Sequence, residues 1–195
     1  MNFICKTVRE VEEEPVNEEN ISQDIYNKGI NQARGHAGYM LVQCAYFEDF
    51  KNNIFDTLEF IAETASIYTR SAILLNMAIL NIIDKDRNVS LFKKLLHDYN
   101  PSLMSMPVHN HNPLVYFVNY AVEEIIDFLR HASDCPECYK EQVILIWLAW
   151  SHNNHHAESR KLLDKMCDNS EEARLSLLEF LYRLENQLNH DAIEY

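Results

Sequence analysis

Residues 66–98, SIYTRSAILLNMAILNIIDKDRNVSLFKKLLHD, read as two antiparallel helices joined by a very short turn, and the segments on either side read as variations on that pair. In the first helix Ile67, Leu74, Leu75, Met77, Ala78 and Ile82 fall on one apolar arc, as expected of a helix packed on one side. Asp84-Lys85-Asp86 interrupts this period, and Asp86 is placed to cap the first N–H groups of a second helix. There Leu91, Phe92, Leu95 and Leu96 face inward while Lys93, Lys94 and Asp98 face outward, until Pro101, which cannot continue a helix.

Upstream, residues 1–23 carry Glu10, Glu12, Glu13, Glu14, Glu18 and Glu19 around Pro15 and no sustained apolar period, which predicts an acidic, partly flexible arm. A helical-repeat domain is expected over 24–188 and a tail over 189–195. Gly29, Ala33, Gly35, Ala37 and Gly38 give the first helix of that domain a narrow face on which another backbone can lie closely. Residues 49–63 supply its return, with Phe50, Ile54, Leu58 and Ile61 inward. Downstream, 99–113 reads as irregular around Pro101, Pro107 and Pro113, with a helix from Pro113 to about Ala121. Helices are then expected at 123–131, 136–151, 155–167 and 171–188.

A chain of 195 residues with 47% hydrophobic content and 24% charge can bury a core as one unit. Only three glycines leave little material for the tight turns of an all-β protein, so an all-α fold is expected. The net charge of −13 argues against a general phosphate-binding surface and, if anything, favours a basic partner. Five cysteines, Cys5, Cys44, Cys135, Cys138 and Cys167, without a signal-peptide pattern point to a reducing, cytoplasmic setting. No uninterrupted apolar run approaches the ~20 residues that span a bilayer.

Aligning the first helices of successive pairs places Arg34, Arg70, Lys140 and Arg174 in one phase, 36, 70 and 34 positions apart. A period of about 35, with one copy skipped in the proline-rich stretch, describes HEAT-like repeats: an α-solenoid of about four to five helix pairs. An arginine at that position can bridge to carbonyls or carboxylates of a neighbouring repeat's turn, so Arg34, Arg70 and Arg174 are expected to be structural.

The segments Ile30-Asn-Gln-Ala-Arg-Gly-His-Ala37, Arg70-Ser-Ala72, Asp84-Lys-Asp-Arg87 and Leu91-Phe-Lys-Lys-Leu95 resemble the helical-repeat region that follows the ATPase core in bacterial STAND (NACHT-like) NTPases. The resemblance extends through Val115-Tyr-Phe-Val-Asn-Tyr-Ala121 and Glu171-Glu-Ala-Arg174, covering roughly 24–185. It implies a sensor, scaffold or autoinhibitory module, in several cases within antiviral defence. The chain departs from the family by lacking G-x-x-x-x-G-K-[ST], since no glycine is followed by lysine, so it builds no phosphate cradle of its own.

Cys135-Pro-Glu-Cys138 has the spacing of half a zinc site or a redox pair, but redox function normally rests on a thioredoxin-like βαβ setting that this chain lacks; the plain reading is two small residues at a helix start where Ser133 or Asp134 caps and Pro136 takes the first turn. Zinc needs further donors, available among His109, His111, His131, His152, His155 and His156 at no orthodox spacing. His152-Asn-Asn-His155-His156 falls on a turn between helices and reads as solvated. No nucleophile elbow, H-E-x-x-H or glycine-rich loop is present, and Glu12-Glu13, Glu123-Glu124 and Glu171-Glu172 suit helix first turns or solvated arms.

These readings predict a non-enzymatic, protein-binding scaffold or sensor without cofactor, nucleic acid or membrane, tied to a STAND-type NTPase or defence system. One alternative is a metal-dependent enzyme on a helical bundle using Cys135, Cys138 and nearby histidines; another is a nucleic-acid-binding helical repeat. Leu175, Leu177, Leu178, Phe180, Leu181, Leu184 and Leu188 wrap most of the way round helix 171–188, and too little chain follows for a full return helix. A neighbour is therefore expected against that helix, either a second copy forming a homodimer or another partner.

Overall fold

The computed structural model describes residues 2–13, 25–104, 112–132, 135 and 138–193, and every regular element among them is helical. The chain runs α1 (Asn2–Glu10), α2 (Ile25–Asn31), α3 (Ala33–Cys44), α4 (Lys51–Thr64), α5 (Ile67–Leu74), α6 (Leu80–Ile83), α7 (Lys85–Leu95), α8 (Leu114–Phe117), α9 (Val122–His131), α10 (Tyr139–His152), α11 (Ala157–Asn169) and α12 (Glu171–Ile193). Short 3-10 turns occupy Glu48–Phe50, Met77–Ile79 and Pro101–Met104. The all-α class matches the expectation from helical periodicity and scarce glycine. No described helix is long and apolar enough to cross a membrane.

Helices pack largely in chain order. α3 lies on α4 and α5, α4 on α7, α8 on α10, α9 on α10 and α11, and α10 on α11 and α12. The apolar positions read as inward are enclosed: Ile54, Leu58 and Ile61 on α4 and Leu91, Phe92 and Leu95 on α7 are fully buried. Phe92 stacks on Phe117 with ring centroids 3.8 Å apart, joining the two halves of the chain through the core. Tyr26 crosses the same divide, its buried hydroxyl donating to the Leu103 carbonyl at 2.7 Å.

The glycine face does what its composition predicts. A Cβ at Gly29 would stand 2.1 Å from the Tyr68 carbonyl oxygen, and one at Gly35 would stand 2.0 Å from that of Gly29. α2, α3 and α5 thus meet backbone to backbone, which larger side chains forbid. The chain also breaks between α2 and α3 at Gln32, where a single helix was expected.

The pair over 66–98 departs from its expected form in three ways. The first helix is not continuous, because the chain tightens into the 3-10 turn Met77–Ile79 before α6. That change of pitch rotates Ile82 off the apolar arc and leaves it 81% exposed. The cap of α7 is Asp84, not Asp86: the Asp84 carboxylate accepts from the Arg87 N–H at 3.2 Å, while Asp86 falls within the first turn. At the other end Ser66 accepts from the Thr69 N–H and starts α5.

The amino-terminal segment, expected as an arm, contains α1, whose Cys5 and Val8 are buried and which packs on α4. Its acidity has a local use. The buried Arg34 guanidinium donates to the Val8 carbonyl, to Glu13 at 3.0 Å and to Thr64 at 3.1 Å, while Glu13 also accepts from the Ser66 N–H. A buried cation needs such partners, and Glu13 supplies the counter-charge. Residues 14–24 lie outside the description. Downstream, α8 ends at Phe117, short of the expected 121, and α12 continues to Ile193, past the expected end at 188.

Candidate functional site

Arg70 occupies on α5 the place Arg34 has on α3, and both reach the end of the helix that closes their own pair. Arg70 is 3% exposed and donates to the Leu95 carbonyl at 2.9 Å and to both carboxylate oxygens of Asp98. The expected bridge thus runs within a pair rather than to the neighbouring repeat's turn. Arg174 differs, since it reaches back to the Cys167 carbonyl at the end of α11. Burial pushes the Asp98 carboxyl up, but its hydrogen bond to Arg70, the Arg70 charge and the Asn100 N–H prevail and hold it below the ordinary carboxylate value.

Directly after this anchor the backbone turns at Tyr99 with φ of 51°, a left-handed conformation uncommon for a bulky residue. Glycine usually fills such a place after a helix. Tyr99 is held there by the rest of the fold: its hydroxyl donates to Asp127 at 3.1 Å, and its ring stacks on His131 with centroids 4.2 Å apart. Asp127 pushes the Tyr99 phenol above its ordinary range, because ionisation would set two negative charges side by side. His131 is fixed in turn by an Nδ1–H bond of 2.8 Å to the Asp127 carbonyl.

Tyr99 stands at a cleft of about 630 Å³ between α7 and α9. Leu96 and Phe128 supply apolar lining. The wall formed by α7 and the turn after it carries Ser90, Lys93, Lys94 and His97, and the α9 wall carries Glu123, Glu124, Asp127 and Arg130. One wall is therefore basic and the other chiefly acidic. Lys94 also pairs across to α4, 2.8 Å from Glu63 and 3.5 Å from Glu59, which raises its pKa. Arg130 sits 3.7 Å from Asp127 and 3.8 Å from Glu158.

Of the cysteines and histidines singled out in the sequence, His131 and His156 touch residues of this cleft, Tyr99 and Glu123, while Cys135 and Cys138 are not among its lining residues. Cys135 and Cys138 lie together, sulfurs 3.2 Å apart, beside the Pro101 carbonyl. His152 ends α10, and His155, at φ of 61°, tilts over Trp150. His109 and His111 lie outside the described residues. Among those described, no group of three or more His, Cys, Asp or Glu is placed to hold a metal.

His156 is not simply a solvated turn residue. Its Nδ1 accepts from the Ser159 N–H and lies 2.9 Å from the Ser159 hydroxyl, while its Nε2 lies 3.0 Å from Glu123. The connectivity resembles a Ser-His-Glu triad, yet Ser159 is 0% exposed, so no substrate carbonyl reaches its oxygen. The arrangement is a helix cap that ties α11 to α9.

Sequence reasoning missed Tyr99, Asp127 and Arg130. The available signal was the spacing of Asp127 and His131 on one helical face, which has meaning only once Tyr99 is seen opposite. No protein-family model matches this chain, and neither a curated protein nor a solved structure does.

Proposed function

We propose that this chain is a protein-binding module, built as a HEAT-like array of helix pairs, that seats a charged segment of a partner protein between α7 and α9. The observation that carries this reading is the charge division of the cleft, with Lys93, Lys94 and His97 on one wall and Glu123, Glu124 and Asp127 on the other. Such a cleft favours a segment with carboxylates along one side and cations along the other, because opposed walls reward one orientation and penalise the reverse. The strained Tyr99 at its edge adds support, since non-glycine residues in the left-handed region collect at functional sites.

The helix order supports the array. α3 packs on α5 and α4 on α7, then α8 on α10 and α9 on α11, so first helices meet first helices and second helices meet second. The cleft falls where the period of about 35 skips a copy, between the pair ending in α7 and the pair ending in α9. The module would serve as sensor or scaffold for an NTPase of the STAND kind, as the sequence resemblance implies.

Charge reversal on each wall tests the reading. Lys93→Glu and Glu124→Lys should leave the melting temperature unchanged, because both side chains stand at the surface of the cleft. Cross-linked capture at moderate salt should recover a set of partners with the wild-type chain and lose the same members, by roughly tenfold or more, with either variant. Recovery that is equal for all three proteins would remove the cleft from consideration as the binding surface.

A further inference from the structure

We propose that Cys135 and Cys138 form a redox-modification site that closes to an intramolecular disulfide on reaction with a hydroperoxide. Their sulfurs are 3.2 Å apart, and a disulfide requires about 2.05 Å, so local adjustment of roughly 1 Å suffices. Among the described residues this is the cysteine pair found in sulfur–sulfur contact. Cys5 lies 4.0 Å from the Asn53 carbonyl oxygen, and Cys167 is held as a thiol by burial and by nearby Asp164, which push it up. Cys138 is the residue immediately before α10.

The chemistry balances within the pair. A thiolate of one cysteine attacks the O–O bond of hydrogen peroxide, taking one oxygen as sulfenic acid, and the hydroxide released takes up a proton to leave as water. The second sulfur then displaces the sulfenic hydroxyl, which leaves as a second water as the S–S bond forms. Two electrons pass from the two sulfurs to one peroxide, and both thiol protons end in water. Exposures of 7% and 3% disfavour larger thiol adducts, so the partner sulfur completes the second step.

The pair is tied to the turn that follows Tyr99. Cys138 donates its S–H to the Pro101 carbonyl at 3.5 Å, two residues beyond Tyr99, while Cys135 follows four residues after His131, which stacks on Tyr99. Oxidation removes the Cys138 donor and so loosens the turn at Pro101–Met104. Any consequence of this for partner binding rests on the cleft reading, whereas formation of the disulfide does not.

The test uses the full chain, reduced and then exposed to graded hydrogen peroxide before alkylation and tryptic mass spectrometry. Cleavage after Arg130 and Lys140 yields one peptide that holds both cysteines. It should appear with two hydrogens lost and no alkylation, at doses that leave Cys5, Cys44 and Cys167 alkylated, and dithiothreitol should restore it. Cys135→Ser and Cys138→Ser should each abolish the disulfide, and the variant that keeps the attacking cysteine should leave it as a sulfenic acid trappable by dimedone. Hydrogen exchange at residues 99–104 should rise on oxidation, and unchanged exchange would overturn the link to the turn. The site itself is overturned if the peptide stays reduced while Cys44 or Cys167 oxidises, if it passes to sulfinic acid without a disulfide, or if protein purified without a histidine tag carries stoichiometric zinc that blocks both thiols.

Discussion

Arg70 shows how one side chain fixes the local backbone. Its guanidinium ties α5 to the last carbonyls of α7 and to Asp98, and the chain then turns through Tyr99. Removing a buried, hydrogen-bonded partner leaves the opposing acceptors unsatisfied, so Arg70→Ala should cost about 1–3 kcal/mol. For a chain of this size that lowers the melting temperature by roughly 2–4 °C per kcal/mol, measurable by calorimetry. Unchanged stability would show that Arg70 is not an anchor. Asp98 adds a pH signature. Its folded pKa lies below the ordinary 3.8, so its contribution is fully present above that value and is lost as pH falls through the depressed one. The stability gap between the wild-type chain and Asp98→Asn should therefore narrow only at acid pH, as followed by urea midpoints.

Among the elements, the contact of α2 and α3 with α5 and with each other is set by glycine. In an exposed helix, Gly→Ala gains up to about 1 kcal/mol from helix propensity. At Gly29 and Gly35 the added carbon would overlap backbone oxygens at 2.1 and 2.0 Å, and backbone cannot step aside as a side chain can. Gly29→Ala and Gly35→Ala should therefore destabilise, by about 1–3 kcal/mol or more. Gly38 faces only Ile73, whose Cγ1 would lie 2.9 Å away and can shift rotamer, so Gly38→Ala should cost less. Denaturant midpoints of the three variants give the order, and an equal or stabilising effect at Gly29 would contradict the close approach.

Over the whole molecule, α12 carries an apolar stripe that is exposed among the described residues. Leu175, Leu178 and Tyr182 lie on one face at intervals of three and four, with Leu178 62% exposed. Leu177 and Phe180 face the core instead, where Phe180 meets Trp147 edge to face, and the side chain of Leu188 lies outside the description. Glu179 and Arg183 flank the stripe as a pair of opposite sign on successive turns. A two-fold antiparallel contact would set Glu179 of one copy against Arg183 of the other, which makes a second copy a self-complementary occupant. Light scattering should accordingly show association that rises with concentration and is abolished by Leu178→Glu, with the melting temperature of the dilute protein unchanged. A wild-type chain that stays monomeric throughout would defeat the expectation.

Local rules determine much of this protein in the sequence alone. Helix class, most helix positions, the inward faces of α4 and α7 and the close-packing use of Gly29 and Gly35 follow from periodicity and residue size, which are properties of neighbouring residues on one helix. Partnership across the fold does not. The acidic run at 10–14 gave no sign that Glu13 would neutralise Arg34, because the two meet only when α1 docks on α4. Asp84 and Asp86 are equivalent as caps until the tightening at Met77–Ile79 decides where α6 ends. The cleft was the least legible feature. Its walls belong to helices about 30 residues apart, and its edge depends on a left-handed tyrosine that long-range contacts hold against its own backbone preference.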